Sequence, residues 1–136
     1  MQVIDKFTSS PQLSPDGKWI AAYFQDEQAG SPWRIMIAPF DGSGSIKVID
    51  PVAAADRMST GVGVTWAPDG RSIWYVNTRD GTANLYSQSI DGGPPKQLTK
   101  FTDNDVGIFN FSRDGKTIAF TRGTVRSDVV LISDFR

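Results

Sequence analysis

Apolar and polar positions repeat in blocks along the chain. Three blocks share one pattern, in which an apolar residue stands three positions before an Asp-Gly aspartate and an isoleucine stands four positions after it. The three aspartates, Asp16, Asp69 and Asp114, are 53 and 45 positions apart. Matched offsets at this spacing indicate a structural repeat of about 45 residues.

Each block predicts a β-hairpin, because aspartate bonds neighbouring backbone groups and glycine adopts the positive φ that a tight turn needs. Further apolar runs predict a third strand after each hairpin and a fourth strand after the first two. The third strands are expected at 34–40, 84–90 and 129–135, and the fourth at 46–49 and 96–99. Residues 2–8 resemble residues 96–102, so we expect the N-terminal strand to complete the last sheet.

The composition agrees with an all-β fold. Valine, isoleucine and threonine number 31, and these β-branched residues favour strands. Fourteen of the 15 acidic residues are aspartate, which favours turns. The net charge of −1 argues against the basic surface that nucleic acid would require. No apolar stretch is long enough to span a bilayer, so no direct membrane insertion is expected.

The chain contains no histidine and no cysteine. This excludes a Ser-His-Asp triad, a thiolate nucleophile and the usual ligands of structural zinc. We therefore expect no catalytic residues, no cofactor and no metal.

The turns and strands resemble the WD40-like repeats of the TolB-type β-propeller family. Leu13–Lys18, Ile90–Gly93 and Gln97–Thr99 follow the family pattern, and Phe111–Phe120 follows it with Arg113 in place of proline. The resemblance covers nearly the whole chain and implies a propeller of four-stranded blades. The ending RGTVRSDVVLISDFR also resembles the last blade of bacterial signalling proteins, in which the propeller follows a kinase or a DNA-binding domain.

The repeat divides one domain, residues 1–136, into units at about 9–49, 62–99 and 107–136. Three blades are fewer than the 4–8 that typically close a propeller. Two copies would supply the six blades of a TolB-type ring, with strand 2–8 of each copy completing the last blade of its partner. We therefore expect a homodimer that forms one six-bladed ring. The alternative is a fragment whose missing blades belong to a longer protein.

The residues of the repeated turns are expected to be structural, because their identical context matches turn capping. They are Asp16, Gly17, Asp69, Gly70, Asp114 and Gly115.

Binding candidates come from the loops that enter the innermost strands, at 8–11, 50–64 and 102–107. Long ordered loops are disproportionately functional, and charged residues in these loops could line a central channel and bind a cation or a basic peptide. Solvated turn charges are the alternative explanation for them. The candidates are Asp50, Asp56, Arg57, Asp103 and Asp105.

These features favour a non-catalytic scaffold that binds a protein, peptide or ligand through its loop face and central channel. One alternative is a propeller accessory domain or fragment of a larger kinase, regulator or prolyl-oligopeptidase-type peptidase, although the chain holds no G-x-S-x-G motif. Another is a carboxylate- or metal-dependent enzyme. The resemblance to TolB implies a periplasmic protein, whereas the chain expressed as given, without a signal peptide, would be cytoplasmic.

Overall fold

The computed structural model describes residues 7–25, 33–51, 63–79, 82–103 and 105–124. Within these ranges the protein is all-β, with ten strands and no helix. The strands are β1 Phe7–Leu13, β2 Trp19–Gln25, β3 Arg34–Pro39, β4 Lys47–Ile49, β5 Thr65–Trp66, β6 Ser72–Arg79, β7 Thr82–Ser89, β8 Lys96–Gln97, β9 Asp105–Phe111 and β10 Ile118–Gly123. A helix long and apolar enough to cross a membrane is not found in these ranges.

The strands form three antiparallel sheets in chain order. The first sheet contains β1 to β4, the second contains β5 to β8, and the third pairs β9 with β10. Because each sheet is a meander, its Asp-Gly turns all connect strands at the same end of the sheet, and we call this end the turn edge. The opposite end of the strands, where β2 ends and β9 begins, is called the loop edge.

The strand bounds follow the repeat closely, with shifts at the N-terminus and before β9. Residues 105–107 of the expected loop 102–107 belong to β9, because that strand already pairs with β10 at Asp105. Residues 7 and 8, which the sequence assigned to an outer strand, lie in β1 and pair with β2. The segment 8–11, expected as a loop, is likewise part of β1, because β2 continues to Gln25 and pairs with residues 7–9 on the far side of the bulge. The expected strand at 129–135 and residues 52–62 of the expected loop 50–64 lie outside the described residues.

The first strands of the first and third sheets, β1 and β9, each contain a β-bulge near the same repeat position. In the first sheet, Ser9 pairs with Tyr23 and Gln12 with Ala21, so two residues oppose one. In the third sheet, Phe109 pairs with Phe120 and Val106 with Arg122 across the same kind of irregularity. A bulge bends the strand and increases its twist.

The second sheet packs between the other two. One of its faces shares a buried cluster with the first sheet, in which Tyr75 and Tyr86 stack at 6.0 Å between ring centroids. Its other face meets the third sheet, where the Trp74 and Phe111 rings lie 4.7 Å apart, edge to face. The buried members of the first cluster are Ala21, Tyr23, Ile35, Ile37, Ile49, Val64, Trp66, Ile73, Tyr75, Tyr86 and Ile90. The three sheets are therefore stacked face to face in chain order.

Candidate functional site

An arginine–aspartate ion pair marks the loop edge of the first sheet. Arg34 Nε donates to Asp50 Oδ1 at 2.6 Å, and the guanidinium carbon lies 5.8 Å from the centroid of the Phe24 ring. The pair follows from strand register, because Ile35 pairs with Ile49 and the next residues outward are therefore neighbours. We call Arg34, Asp50 and Phe24 the first clasp.

A similar group lies at the loop edge of the third sheet. Arg122 Nη2 donates to both the backbone oxygen and Oδ1 of Asp103, at 2.8 and 2.9 Å. The Arg122 guanidinium lies 3.8 Å from the centroid of the Phe101 ring, within the range of a cation–π interaction. Arg122, Asp103 and Phe101 form the second clasp, which fixes the chain between β8 and β9.

Both clasps are accessible from solvent. In each, the arginine side chain is 32% exposed and the aspartate side chain 73% exposed. Surface ion pairs of this kind contribute only about 0–1 kcal/mol to stability. Each clasp presents a cation and a carboxylate to solvent, which suits the charged ends of short peptides. In the second clasp the partly exposed Phe101 ring adds an apolar surface, whereas the Phe24 ring of the first clasp is buried beneath Arg34.

A buried asparagine positions the backbone of the second clasp. Asn84 is 7% exposed, and its Oδ1 accepts hydrogen bonds from the Phe101 N–H at 2.8 Å and from Thr99 Oγ1 at 2.9 Å. Its Nδ2 donates to the Phe101 carbonyl at 3.3 Å. Thr99 Oγ1 in turn accepts from the Leu85 N–H at 3.0 Å. Strand β8 ends at Gln97, so the Asn84 side chain of β7, through Thr99 and Phe101, holds the segment that follows β8 against β7.

Of the residues expected to bind a ligand, the three that the structure describes lie along this edge. Asp50 and Asp103 belong to the two clasps, and Asp105 begins β9 opposite Gly123. Asp56 and Arg57 lie outside the described residues. No group of three potential metal ligands occurs in the described part of the chain. Sequence reasoning missed Arg34 and Arg122, whose roles depend on cross-strand register.

The repeated aspartates cap their turns in the same way. Asp16 Oδ1 accepts from Ser14 Oγ at 2.6 Å and from the Lys18 N–H at 3.1 Å, and Asp114 Oδ1 accepts from Ser112 Oγ at 2.5 Å and from the Lys116 N–H at 3.1 Å. In each turn the serine hydrogen bond is the main cause that holds the pKa of the aspartate below its ordinary value. Asp69 Oδ1 accepts from the Arg71 N–H at 2.9 Å.

A cavity of about 630 Å³ lies at the turn edge of the first sheet. Lys47 and Trp19 line it, with the ammonium nitrogen 5.6 Å from the centroid of the indole ring. The same nitrogen donates to the Ile90 carbonyl at 3.1 Å and to Asp91 Oδ1 at 3.2 Å, so this lysine joins the first and second sheets. Sequence reasoning did not anticipate this cavity.

Known proteins similar to this chain are peptidases by name. The chain is 29% identical over 119 residues to the uncharacterized peptidase YuxL of Bacillus subtilis, covering 83% of this chain and 17% of that protein. It is 30% identical over 114 residues to dipeptidyl-peptidase 5 of Porphyromonas endodontalis, covering 80% and 15%. Tricorn protease homolog 1 of Streptomyces coelicolor is 25% identical over 107 residues, covering 79% and 9%.

Two further comparisons are less informative. No family model matches the chain, so the resemblance to TolB-type repeats stays a prediction. Among solved structures, the AtxE2 isopeptidase is similar with a TM-score of 0.49 and 18% identity, covering 74% of this chain and 20% of that one, a likeness too coarse to carry an argument.

The relatives correct one expectation from the sequence. The prediction that the protein is not an enzyme is wrong, because the similar proteins are named peptidases. The missing histidine and cysteine led to that prediction, but the chain spans less than a fifth of the length of these relatives. Residue types absent from so short a segment say little about the chemistry of a whole enzyme.

Proposed function

We propose that the chain is a segment of the β-propeller of a peptidase, where it helps to admit and orient the peptide substrate beside a catalytic domain. The observation that carries the proposal is similarity to three named peptidases over about four fifths of this chain. The sheet arrangement supports the propeller architecture, because successive meander sheets stack face to face and their repeated turns lie at the turn edge.

The loop edge is the surface assigned to the substrate. Its two clasps present Asp50 and Asp103 as exposed carboxylates, each held by an arginine. A carboxylate attracts the amino terminus of a peptide, and the partly exposed Phe101 ring supplies apolar contact beside Asp103. These groups bind and orient peptides.

A chimera tests this role. The segment of dipeptidyl-peptidase 5 that matches this chain would be replaced by the chain, and hydrolysis of fluorogenic dipeptide substrates would be measured. We expect the chimera to retain hydrolysis, because the segment supplies the same architecture. Replacement of both carboxylates by Asp50→Asn and Asp103→Asn should raise KM several-fold while kcat changes little, since the contacts to the peptide amino terminus are lost and the reacting groups are not touched.

Controls separate this result from general damage to the fold. Arg71→Ala changes an exposed cation at the turn edge and should leave both KM and kcat unchanged. An equally long unrelated β-domain inserted at the same place should abolish hydrolysis. A chimera that unfolds cooperatively but does not hydrolyse the substrates would contradict the proposal. An unchanged KM in the double variant would contradict the assignment of the loop edge.

A further inference from the structure

Two rings and a glycine-containing connection bound the cavity at the turn edge of the first sheet. Its volume of about 630 Å³ is sufficient for a small organic ligand. Trp19 in β2 and Pro39 in β3 are cross-strand partners and therefore lie side by side on one face. The connection from β3 to β4 forms another wall and comes close to Pro39, since a Cβ atom built on Gly44 would lie 3.8 Å from Pro39 Cγ. The cavity thus offers an apolar wall of two rings beside a connection with small side chains.

The two rings lie on the face of the first sheet that turns towards the second sheet. Trp19 packs against the buried cluster that these two sheets share. Lys47, which also lines the cavity, is the cross-strand partner of Ile37, a buried member of the same cluster. The Lys47 ammonium bonds the Ile90 carbonyl and Asp91 across the junction between the sheets. The main walls of the cavity therefore belong to a junction whose two sheets are both described.

A sheet packed on the other side of the first sheet would contact a different part of the turn edge. A Cβ atom built on Gly70 would lie 3.7 Å from Pro15 Cδ, and one built on Gly115 would lie 2.7 Å from Pro68 Cγ. The glycine of each turn thus lies against the proline of the turn before it. In the first sheet the same contact would involve the turn glycine at the rim of the cavity, and the face that carries Trp19 would stay open to a ligand.

The charged residues that line the cavity favour an anion. They are Lys18, Lys47 and one acid, Asp41. The Asp41 carboxylate is already engaged, because its Oδ1 accepts from the Ser43 N–H at 2.8 Å and from Ser43 Oγ at 2.6 Å. An ammonium group has three donors, and within the described residues Lys47 uses two of them for its bonds to the second sheet. The third donor can therefore bind an acceptor in the cavity.

We propose that this cavity binds a small aromatic carboxylate. The Lys47 ammonium lies 5.6 Å from the centroid of the Trp19 ring, so a planar ring stacked on Trp19 and Pro39 brings a carboxylate on a short side chain within reach of Lys47. Such a carboxylate occurs on a free aromatic acid and on the C-terminal aromatic residue of a peptide. The cavity lies at the opposite end of the strands from the clasps, and the inference does not depend on the peptidase role.

Nuclear magnetic resonance of the isotope-labelled chain tests the proposal, because the indole N–H of Trp19 reports on the cavity. The probes are phenylpropionate for the free acid and N-acetyl-Gly-Phe for the peptide end, with the amide of N-acetyl-Gly-Phe as the uncharged control. We expect the acids to shift the Trp19 signal with saturation and the amide to bind about tenfold more weakly or worse. Binding of one acid alone supports the proposal and identifies the source of the carboxylate. Equal binding of acid and amide, or no shift with either acid, overturns it.

Changes of charge test the role of Lys47. Lys47→Met keeps the aliphatic stem and should weaken binding about tenfold or more, because the ion pair with the carboxylate is lost. Lys96→Met, the same change at the first residue of β8, is the matched control and should leave the affinity unchanged. Asp91→Asn should tighten binding about threefold, because the Lys47 charge then has no competing carboxylate. An unchanged or lower affinity in Asp91→Asn contradicts the role of Lys47, since a lysine that only joins the sheets would give that result.

Filling the cavity gives a test that leaves these charges in place. Ser45 lines the cavity and is exposed, so Ser45→Trp should block the binding of both acids without unfolding the chain. Circular dichroism verifies that each variant is folded. If Lys47→Met does not fold, Ser45→Trp and Asp91→Asn still decide the outcome. Binding that is retained in Ser45→Trp places the ligand elsewhere and overturns the proposal.

Discussion

Two glycines with nearly the same backbone conformation have different surroundings. Gly17 and Gly115 have φ values of 72° and 70°, but only Gly115 faces a proline, Pro68. Gly17→Ala should cost about 1–2 kcal/mol, the strain of an L-residue at positive φ. Gly115→Ala should cost about 3 kcal/mol or more, because its Cβ would also overlap the rigid ring. Urea unfolding at low protein concentration measures both values. An equal decrease in the free energy of unfolding would show that the proline contact adds nothing to the cost of the substitution.

The serine–aspartate turns make stability depend on acid pH. The folded pKa values of Asp16 and Asp114 lie below the ordinary value of 3.8, so their stabilisation is present above that pH and is lost as the pH falls through the folded pKa. Ser14→Ala or Ser112→Ala should therefore flatten the pH dependence of the urea midpoint below about pH 4. Ser89→Ala is the control, because Ser89 Oγ accepts a hydrogen bond from the backbone N–H of Asp91 rather than donating one to its carboxylate. The pH dependence of the urea midpoint should therefore be the same as in the unchanged chain.

At the scale of the elements, the segment that follows the short strand β8 is held in place by the side chain of Asn84. Asn84→Ala would leave the Phe101 N–H and the Thr99 hydroxyl without their acceptor in a part-buried place, which should cost about 2 kcal/mol. Gln97→Ala removes an exposed hydrogen bond to the Thr99 carbonyl and should cost less than about 0.5 kcal/mol. Thermal or urea unfolding compares the two variants. Similar losses would mean that the asparagine is not the main support of this segment.

Element positions could be predicted largely from sequence, while contacts between elements could not. The Asp-Gly repeat places strands β2, β6 and β10 correctly, because turn chemistry and alternation are local properties. The bulge opposite Ala22 and the two clasps depend on register between strands, and the sequence pattern leaves register open by a residue. The stacking of Pro68 on Gly115 was missed for the same reason: it joins residues of successive repeats through space.

At the scale of the whole molecule, an indole hydrogen bond joins β1 of the first sheet to β5 of the second sheet. Trp66 Nε1 donates to the Gln12 carbonyl at 3.0 Å, and the ring is buried in the cluster that the first and second sheets share. Trp66→Phe should lower the free energy of unfolding by about 1–3 kcal/mol through the lost hydrogen bond and volume. Circular dichroism and the fluorescence of the remaining tryptophans should report one coincident transition. Two separate transitions would mean that the sheets unfold independently.

The proline-on-glycine contact at the turn edge also bears on the ancestry of the chain. Each junction uses a proline from one repeat and a glycine from the next, so a duplicated copy of a whole repeat would bring both halves of the contact with it. A gene could thus gain or lose a unit between two junctions without new compensating substitutions.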